Sequence, residues 1–108
     1  MGKKVEPLTE SYFYILLCLA EGPNHGYGIM QKTKELSEGE VKIGSGTMYG
    51  ATGNMMKKGW IVERNDYSEG TERRRMYELT EEGRETLDAE INRLKRLLAG
   101  AKSILKGE

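Results

Sequence analysis

The sequence predicts an α+β chain that is mostly helical, with three short helices, one β-hairpin and a long last helix. Apolar residues recur at helical spacing in the helical segments, two β-rich runs flank a polar turn, and a heptad pattern runs through the last quarter of the chain. We expect two regions within one structural unit, residues 1–79 and residues 80–108.

The composition allows one domain with a small core. The chain has 108 residues, with 17 basic and 17 acidic side chains and a formal net charge of zero. A neutral chain does not bind nucleic acid through its bulk charge, so any such binding must depend on a local basic surface. The core is small enough that an oligomer interface could extend it.

Several classes of protein are disfavoured by what the sequence contains. One cysteine and one histidine are too few for a disulfide framework or an ordinary structural zinc site. No phosphate loop or constellation of carboxylates indicates an enzyme, and we expect no cofactor. The longest apolar run, residues 15–20, is far shorter than a membrane span. We expect a cytoplasmic protein with a buried thiol at Cys18.

The first half of the chain predicts two helices and a short strand. Thr9 caps a first helix that runs through Glu21 and stops at Gly22-Pro23. A second helix runs from about His25 to Leu36. The alternation in Val41-Lys42-Ile43 predicts a short strand.

A third helix is predicted from Thr47 to Lys58, with Gly59 as its stop. Its predicted buried stripe comprises Met48, Ala51, Thr52 and Met55. The opposite side carries Gly46, Gly50, Gly53, Asn54 and Lys57. Each interior glycine lowers the stability of a helix by about 1 kcal/mol relative to alanine. Several glycines on one side of a helix are therefore unusual. They indicate either a loosened helix or a close approach by a ligand.

A β-hairpin is predicted from residues 60–64 and 74–79, joined by a turn at residues 65–70. Three adjacent arginines, Arg73, Arg74 and Arg75, lie in its second strand. Strand alternation places Arg73 and Arg75 on one face, together with Tyr77, and Arg74 on the other. Such a hairpin could hold a phosphate backbone, although an arginine run is more often a solvated face.

The last helix is predicted to begin after Thr80, which caps it, and to pair with the same helix of a second chain. Its apolar positions alternate steps of four and three, which is typical of a helix that pairs with a partner. The predicted interface residues are Leu87, Ile91, Leu94, Leu98, Ala101 and Leu105. Acidic residues precede basic ones along the helix, which suits its macrodipole.

The order of these elements is that of a winged helix-turn-helix with an added dimerisation helix, and the chain resembles the PadR family of transcriptional regulators from Leu8 to about Leu98. The residues that carry the resemblance are 14–17, 21–23, 25–29, 46–51, 59–61 and 73–80, which read YILL, EGP, HGYGI, GTMYGA, GWI and RRRMYELT. Each motif is weak alone, and together in this order they are specific.

The resemblance implies a DNA-binding domain in residues 1–79 and a dimerisation helix in residues 80–108, as in the compact branch of the family. A homodimer would place its third helices in the major groove and its hairpins, the wings, on flanking phosphates. Such a protein usually represses a promoter until an effector binds. We therefore expect a pseudo-palindromic operator on double-stranded DNA and a small hydrophobic effector.

The candidate DNA contacts lie on the second helix, the third helix and the wing. They are His25, Tyr27, Ser45, Gly46, Thr47, Tyr49, Gly50, Asn54, Lys57, Arg64, Arg73, Arg74 and Arg75. Thr47 and Tyr49 would meet phosphate at the start of the third helix, and Asn54 could pair with adenine. For His25, structural packing at the start of the second helix is a stronger interpretation than a DNA contact. Thr47 could likewise be a helix cap that makes no DNA contact.

A second interpretation remains open. Gly53 and Thr52 depart from the family pattern and could soften the third helix. The chain could therefore be a ligand-binding or protein-binding module with weak or lost DNA binding. Trp60, the one tryptophan, would then either pack against the third helix or flank an aromatic ligand.

Overall fold

The computed structural model describes residues 6–67 and 73–105. Its elements are α1 (Glu10–Ala20), β1 (Asn24–His25), α2 (Gly26–Leu36), α3 (Ser45–Lys57), β2 (Ile61–Tyr67), β3 (Arg73–Leu79) and α4 (Glu81–Leu105). The predicted α+β class is confirmed, as are the hairpin and the long last helix. No helix among these residues is long and apolar enough to cross a membrane.

The first two helices begin as the sequence predicts. The hydroxyl of Thr9 accepts a hydrogen bond from the Tyr12 amide at 3.1 Å and caps α1. His25 caps α2, since its Nδ1 accepts from the Gly28 amide at 3.1 Å. The caps satisfy backbone donors that each helix would otherwise leave free.

The predicted strand at residues 41–43 is wrong. The amide of Val41 donates to the Ser37 hydroxyl at 2.9 Å, so it is not available to a neighbouring strand, and Ile43 is buried in the core. The third strand of the sheet is instead β1, where Asn24 lies opposite Tyr77 and His25 opposite Met76. The alternation of apolar and polar residues at 41–43 arises because the extended connection between α2 and α3 turns the side chain of Ile43 into the core.

Helix α3 begins two residues earlier than predicted, at Ser45, with Gly44 as its N-cap. Thr47 is therefore inside the helix and does not cap it. The predicted buried stripe is confirmed, because Met48, Ala51, Thr52 and Met55 are all buried. The helix ends at Lys57, and Gly59 has a φ of +80°, a conformation that glycine adopts without strain.

The three strands form an antiparallel sheet in the order β1-β3-β2. The strands of the hairpin pair from Ile61 with Leu79 to Tyr67 with Arg73, so each reaches farther toward the turn than predicted. The rest of the predicted turn, residues 68–70, lies outside the described residues. Opposite residues share a face, and the face that carries Ile61 and Tyr77 is buried at these two residues but exposed nearer the turn, at Glu63 and Arg75.

The core lies between α1, α2, α3, the sheet and the first half of α4. Its largest fully buried side chains are Ile15, Leu16, Ile29, Met55, Ile61, Leu87, Thr33 and Thr52. Cys18 is buried as predicted, and burial raises the pKa of its thiol despite the nearby Thr33 hydroxyl. A neutral thiol in this position acts as a small apolar side chain.

Helix α4 is attached closely to the hairpin. The hydroxyl of Thr80 accepts from the Gly83 amide at 2.9 Å, which confirms the predicted cap, and lies 2.7 Å from the Gly59 carbonyl oxygen. A Cβ at Gly83 would collide with the carbonyl group of Trp60, so only glycine fits there. Two turns later, Glu90 is 2 % exposed and binds Arg93 through two hydrogen bonds of 2.8 Å.

Candidate nucleic-acid interface

The exposed face of α3 is smooth and has an open amino terminus. Ser45, Gly46 and Thr47 form the first turn and are exposed. No side chain caps this turn, because Gly44 supplies only its backbone. The amides of the first turn therefore have no intrahelical acceptor, and the positive end of the helix dipole lies at the surface. This geometry suits a phosphate group.

The glycines of this face are not required by packing within the chain. A Cβ added at Gly46, Gly50 or Gly53 would meet no atom within 4 Å. By contrast, a Cβ at Gly28 would collide with the Asn24 side chain, so that glycine is structural. The smooth face of α3 thus lowers helix stability without improving the packing of the protomer.

Tyr49 and Arg75 connect α3 with the wing. Tyr49 is 69 % exposed on the edge of α3 that faces the hairpin. Arg75 lies on the same sheet face as the buried Tyr77, as predicted from strand alternation, and its Nε lies 3.3 Å from a carboxylate oxygen of Glu63. The phenol of Tyr49 and the carboxylate of Glu63 raise the pKa of the Arg75 guanidinium. A guanidinium is always charged in proteins, so Arg75 places a positive charge close to Tyr49 of α3.

The start of α2 borders this surface. A Cβ at Gly26 would lie 3.9 Å from Met48, so the first turn of α2 lies against α3. Tyr27 is 66 % exposed there, with its hydroxyl accepting from Gln31 at 2.9 Å. His25 uses Nδ1 to cap α2 and its backbone to pair with Met76, so its structural interpretation is supported.

Asn54 lies on the other edge of α3, away from Tyr49. Its side-chain amide donates to the phenol oxygen of Tyr12 on α1 at 2.9 Å. No sequence pattern indicates a hydrogen bond between residues 42 positions apart. Asn54 is exposed, yet its amide is already engaged.

The expected basic surface is divided by the sheet. Arg64 lies on the face of the hairpin opposite to Arg75 and pairs with Glu78 at 3.0 Å. Lys58 lies over the ring of Trp60, 5.4 Å from its centre, while Lys57 is exposed in the last turn of α3. The side chains of Arg73 and Arg74 lie outside the described part of the chain. Only some of the expected cations therefore lie near the smooth face.

The predicted dimer interface also divides into two parts. Leu87 is 1 % exposed in the core of the protomer, so its assignment to a dimer interface is wrong. Ile91 packs at the edge of that core. The exposed remainder, which we call the apolar seam, comprises Leu94, Leu97, Leu98, Ala101, Ile104 and Leu105. Leu97 and Ile104 were not predicted, because the heptad count omits the residues that flank its core positions.

No metal centre is evident in residues 6–67 and 73–105, where no group of three histidine, cysteine or acidic side chains could hold an ion. The described surface instead consists of an open helix terminus, exposed tyrosines and an arginine. These groups suit hydrogen bonding to an anionic polymer.

Comparison with known proteins identifies the family. The model of the transcriptional regulator PadR-like family matches residues 15–89. A PadR family transcription regulator from Clostridium difficile is similar in structure, with a TM-score of 0.74, 25 % identity, and coverage of 92 % of this chain and 100 % of that chain. A transcriptional regulator from Clostridium thermocellum has a TM-score of 0.75 at 23 % identity, covering 89 % of this chain and 90 % of that one.

A third structure is Bacillus subtilis PadR in complex with operator DNA. It has a TM-score of 0.65 and 24 % identity, and the match covers 72 % of this chain but only 44 % of that chain. No curated protein matches the sequence. Because the family model spans well over half of the chain, the protein belongs to the PadR-like family of transcriptional regulators, which are not enzymes.

Proposed function

We propose that the protein is a cytoplasmic repressor that binds a pseudo-palindromic operator as a homodimer and is released by a small hydrophobic effector. The observation that carries the proposal is the surface formed by the open first turn of α3, Tyr49 and Arg75. Family membership and the resemblance to a PadR bound to operator DNA support this interpretation.

In this proposal, α3 enters the major groove and meets phosphate with its first turn. The amides of residues 45–47 and the hydroxyls of Ser45 and Thr47 hydrogen-bond to one phosphate. Tyr49 and Tyr27 contact the flanking backbone, and Arg75 exchanges Glu63 for a phosphate on the wing side. The exchange costs little free energy, because exposed ion pairs contribute little to stability.

The smooth face then permits close approach. Without Cβ atoms at Gly46 and Gly50, the helix backbone comes nearer to the base edges than a side-chain-covered helix does. Few side chains remain for base recognition, so DNA shape contributes to selectivity. The resulting sequence discrimination is modest.

Dimerisation through the apolar seam pairs two such surfaces. The seam exposes large apolar side chains, with Ile104 79 % exposed, and a contiguous exposed apolar patch favours a protein partner. A two-fold dimer matches a pseudo-palindromic operator, because protein symmetry is repeated in the half-sites.

Salt-dependent binding to the DNA upstream of its own gene tests the function. We expect the logarithm of the binding constant to fall steeply and linearly with the logarithm of salt concentration, and the specific fragment to bind more tightly than a scrambled one. The triple variant S45A/T47A/Y49F should bind weakly. Its matched control is Ser103→Ala, which removes a hydroxyl from the exposed end of α4.

A protein-binding or ligand-binding module without tight DNA binding is the second candidate. The ion pairs of Arg64 with Glu78 and of Arg75 with Glu63 favour it, because they neutralise two wing cations. A low affinity that is insensitive to salt and equal for both fragments would support this candidate over the repressor.

A further inference from the structure

Two ion pairs cross the hairpin diagonally, one on each face. On one face, Nε of Arg75 in β3 lies 3.3 Å from a carboxylate oxygen of Glu63 in β2. On the other face, Nη1 of Arg64 in β2 lies 3.0 Å from a carboxylate oxygen of Glu78 in β3. In each pair the two residues lie two positions away from being directly opposite, a diagonal that long side chains span. The two pairs therefore match in chemistry and differ in their surroundings.

The pair of Arg75 and Glu63 is the one that borders α3. The phenol of Tyr49, on the exposed side of α3, hydrogen-bonds to the Arg75 guanidinium, and with the Glu63 carboxylate it raises the pKa of Arg75. The pair of Arg64 and Glu78 lies on the opposite face of the hairpin. Glu63 thus places a negative charge on the guanidinium that lies beside the candidate interface.

The Glu63 carboxylate takes the place that a phosphate would take on Arg75. An arginine binds carboxylate and phosphate through the same planar set of N–H donors, so the two anions compete for it. The side chain of Arg75 is 60 % exposed, and a phosphate can therefore reach it from solvent. A carboxylate that stays bound would repel this phosphate, because both are negative.

We propose that Glu63 is a built-in competitor for DNA phosphate, which holds Arg75 in the free protein and lowers the affinity for any DNA. The carboxylate turns away when a phosphate arrives and returns when the phosphate leaves. Because phosphate carries no sequence information, the competition weakens binding to operator and to unrelated DNA alike. This inference rests on the proposed function, since it takes DNA as the ligand of Arg75.

NMR of the arginine side chains tests the ion pair on the full chain without DNA. Glu63→Gln keeps the size of the side chain and removes its charge, and Glu78→Gln is the matched control on the other face. We expect Glu63→Gln to shift the guanidinium N–H resonances of Arg75 and to leave those of Arg64 in place, and Glu78→Gln to do the reverse. Resonances of Arg75 that do not respond to Glu63→Gln would overturn the inference and leave the proposed function standing.

The affinity for DNA tests the competition. Glu63→Gln should tighten binding about three- to fivefold for each wing, the upper range for an exposed ion pair, because the repulsion of the phosphate is lost together with the pair. For a dimer with two wings the gain is about nine- to twenty-five-fold, and it should be the same for the operator and a scrambled fragment. Glu78→Gln should gain no more than about twofold at about 0.15 M salt, since its charge lies on the other face and is screened.

The variant Arg75→Gln shows whether the gain depends on Arg75. In this background, adding Glu63→Gln should tighten binding no more than the control Glu78→Gln does. A full gain without Arg75, or equal gains from Glu63→Gln and Glu78→Gln, would mean that bulk charge causes the effect and would overturn the inference. Weaker binding by Glu63→Gln would also overturn it, because Glu63 would then position Arg75 for DNA.

Failure of the proposed function gives a different result. If the wild type and Glu63→Gln both bind the two fragments weakly and without salt dependence, the DNA-binding role is excluded and this inference with it. If the wild type binds the operator tightly with a steep salt dependence and Glu63→Gln binds no better, the competition alone is excluded.

Discussion

The side-chain amide of Asn54 on α3 donates a hydrogen bond of 2.9 Å to the phenol oxygen of Tyr12 on α1. An asparagine that reads adenine presents its oxygen and its nitrogen together to the base edge. Asn54 must therefore give up Tyr12 before it reads a base. The lost bond lowers the gain in affinity by about 0.5–1.5 kcal/mol.

The base-reading role of Asn54 can be tested by Asn54→Ala. If Asn54 reads a base, the variant should lose about 1 kcal/mol of discrimination at one operator position and keep its affinity for unrelated DNA. Affinities for a set of single-base operator variants provide the measurement. Asn92→Ala removes an exposed asparagine from α4 and serves as control. An unchanged ranking of the operator variants would exclude the role.

The smooth face of α3 predicts opposite effects on stability and on DNA binding. Gly50→Ala should raise the free energy of unfolding by about 0.5–1 kcal/mol, because the new methyl group meets no atom and alanine favours the helix. If the DNA approaches the backbone closely, the same change should weaken operator binding. Urea unfolding and operator titration measure the two effects.

Gly100→Ala is the control for this pair, since Gly100 is an exposed helical glycine of α4 whose added Cβ also meets nothing. It should gain similar stability and keep its operator affinity. Undiminished DNA binding by Gly50→Ala would instead indicate that the glycines only loosen the helix.

Arg75 predicts a change in salt dependence. Arg75→Gln should weaken binding to all DNA sequences alike and reduce the slope of log affinity against log salt by about one, because one phosphate contact is lost. Arg84→Gln on α4, which breaks a comparable exposed ion pair with Asp88, should not change the slope. A slope that stays at the wild-type value in Arg75→Gln would argue against the wing contact.

Two substitutions in α4, one in the apolar seam and one in the core, should have different effects. Leu98→Glu places a charge in the apolar seam and should yield folded monomers that lose operator affinity. Leu87→Ala should lower the free energy of unfolding by about 2–5 kcal/mol, because it leaves a cavity in the core, while the folded protein stays dimeric. Sedimentation and urea unfolding distinguish the two. A Leu98→Glu protein that is still dimeric would place the interface elsewhere.

Glu90 predicts a pH dependence of stability. The hydrogen bonds from Arg93 hold the pKa of Glu90 below its ordinary value of 4.5 despite burial, and the Leu8 amide adds to this. A lowered pKa in the folded state stabilises the fold above the ordinary value, and this contribution is lost as pH falls below it.

Glu90→Gln should therefore unfold more easily than the wild type at pH 7, by about 1–3 kcal/mol, and the difference should shrink toward pH 3. Thermal unfolding between pH 3 and pH 7 measures both. Asp88→Asn, an exposed acid on the same helix, should show little difference at any pH. A constant gap between Glu90→Gln and the wild type would contradict the assignment.

Much of the fold follows from local signals. Thr9, Thr80 and Gly59 mark helix ends through their own chemistry, and the stripe from Met48 to Met55 follows from a period of 3.6 residues. The strand at Asn24–His25 has no such signal, because a two-residue strand is defined by its partner β3. Residues 41–43 alternate but pair with no strand of the sheet, so the strand predicted there was wrong.

The candidate site was less predictable, because it depends on contacts between distant elements. Alternation along β3 was enough to place Arg75 on the face of Tyr77, which the register confirms. It could not reveal that Glu63 and Tyr49 meet Arg75 there. The heptad pattern likewise marks apolar residues, yet it does not distinguish Leu87, which faces the protomer core, from Leu98, which is exposed.

The close approach of Gly83 to Trp60 holds the start of α4 against the start of the hairpin. A side chain at residue 83 would have to push the helix away from the Trp60 carbonyl group, so glycine sets the distance between α4 and the hairpin. From Gly83, α4 continues to Leu105 over a length of about 33 Å, at about 1.5 Å for each residue. Because α4 is continuous from this contact to Leu105, one unbroken helix joins the hairpin to the apolar seam.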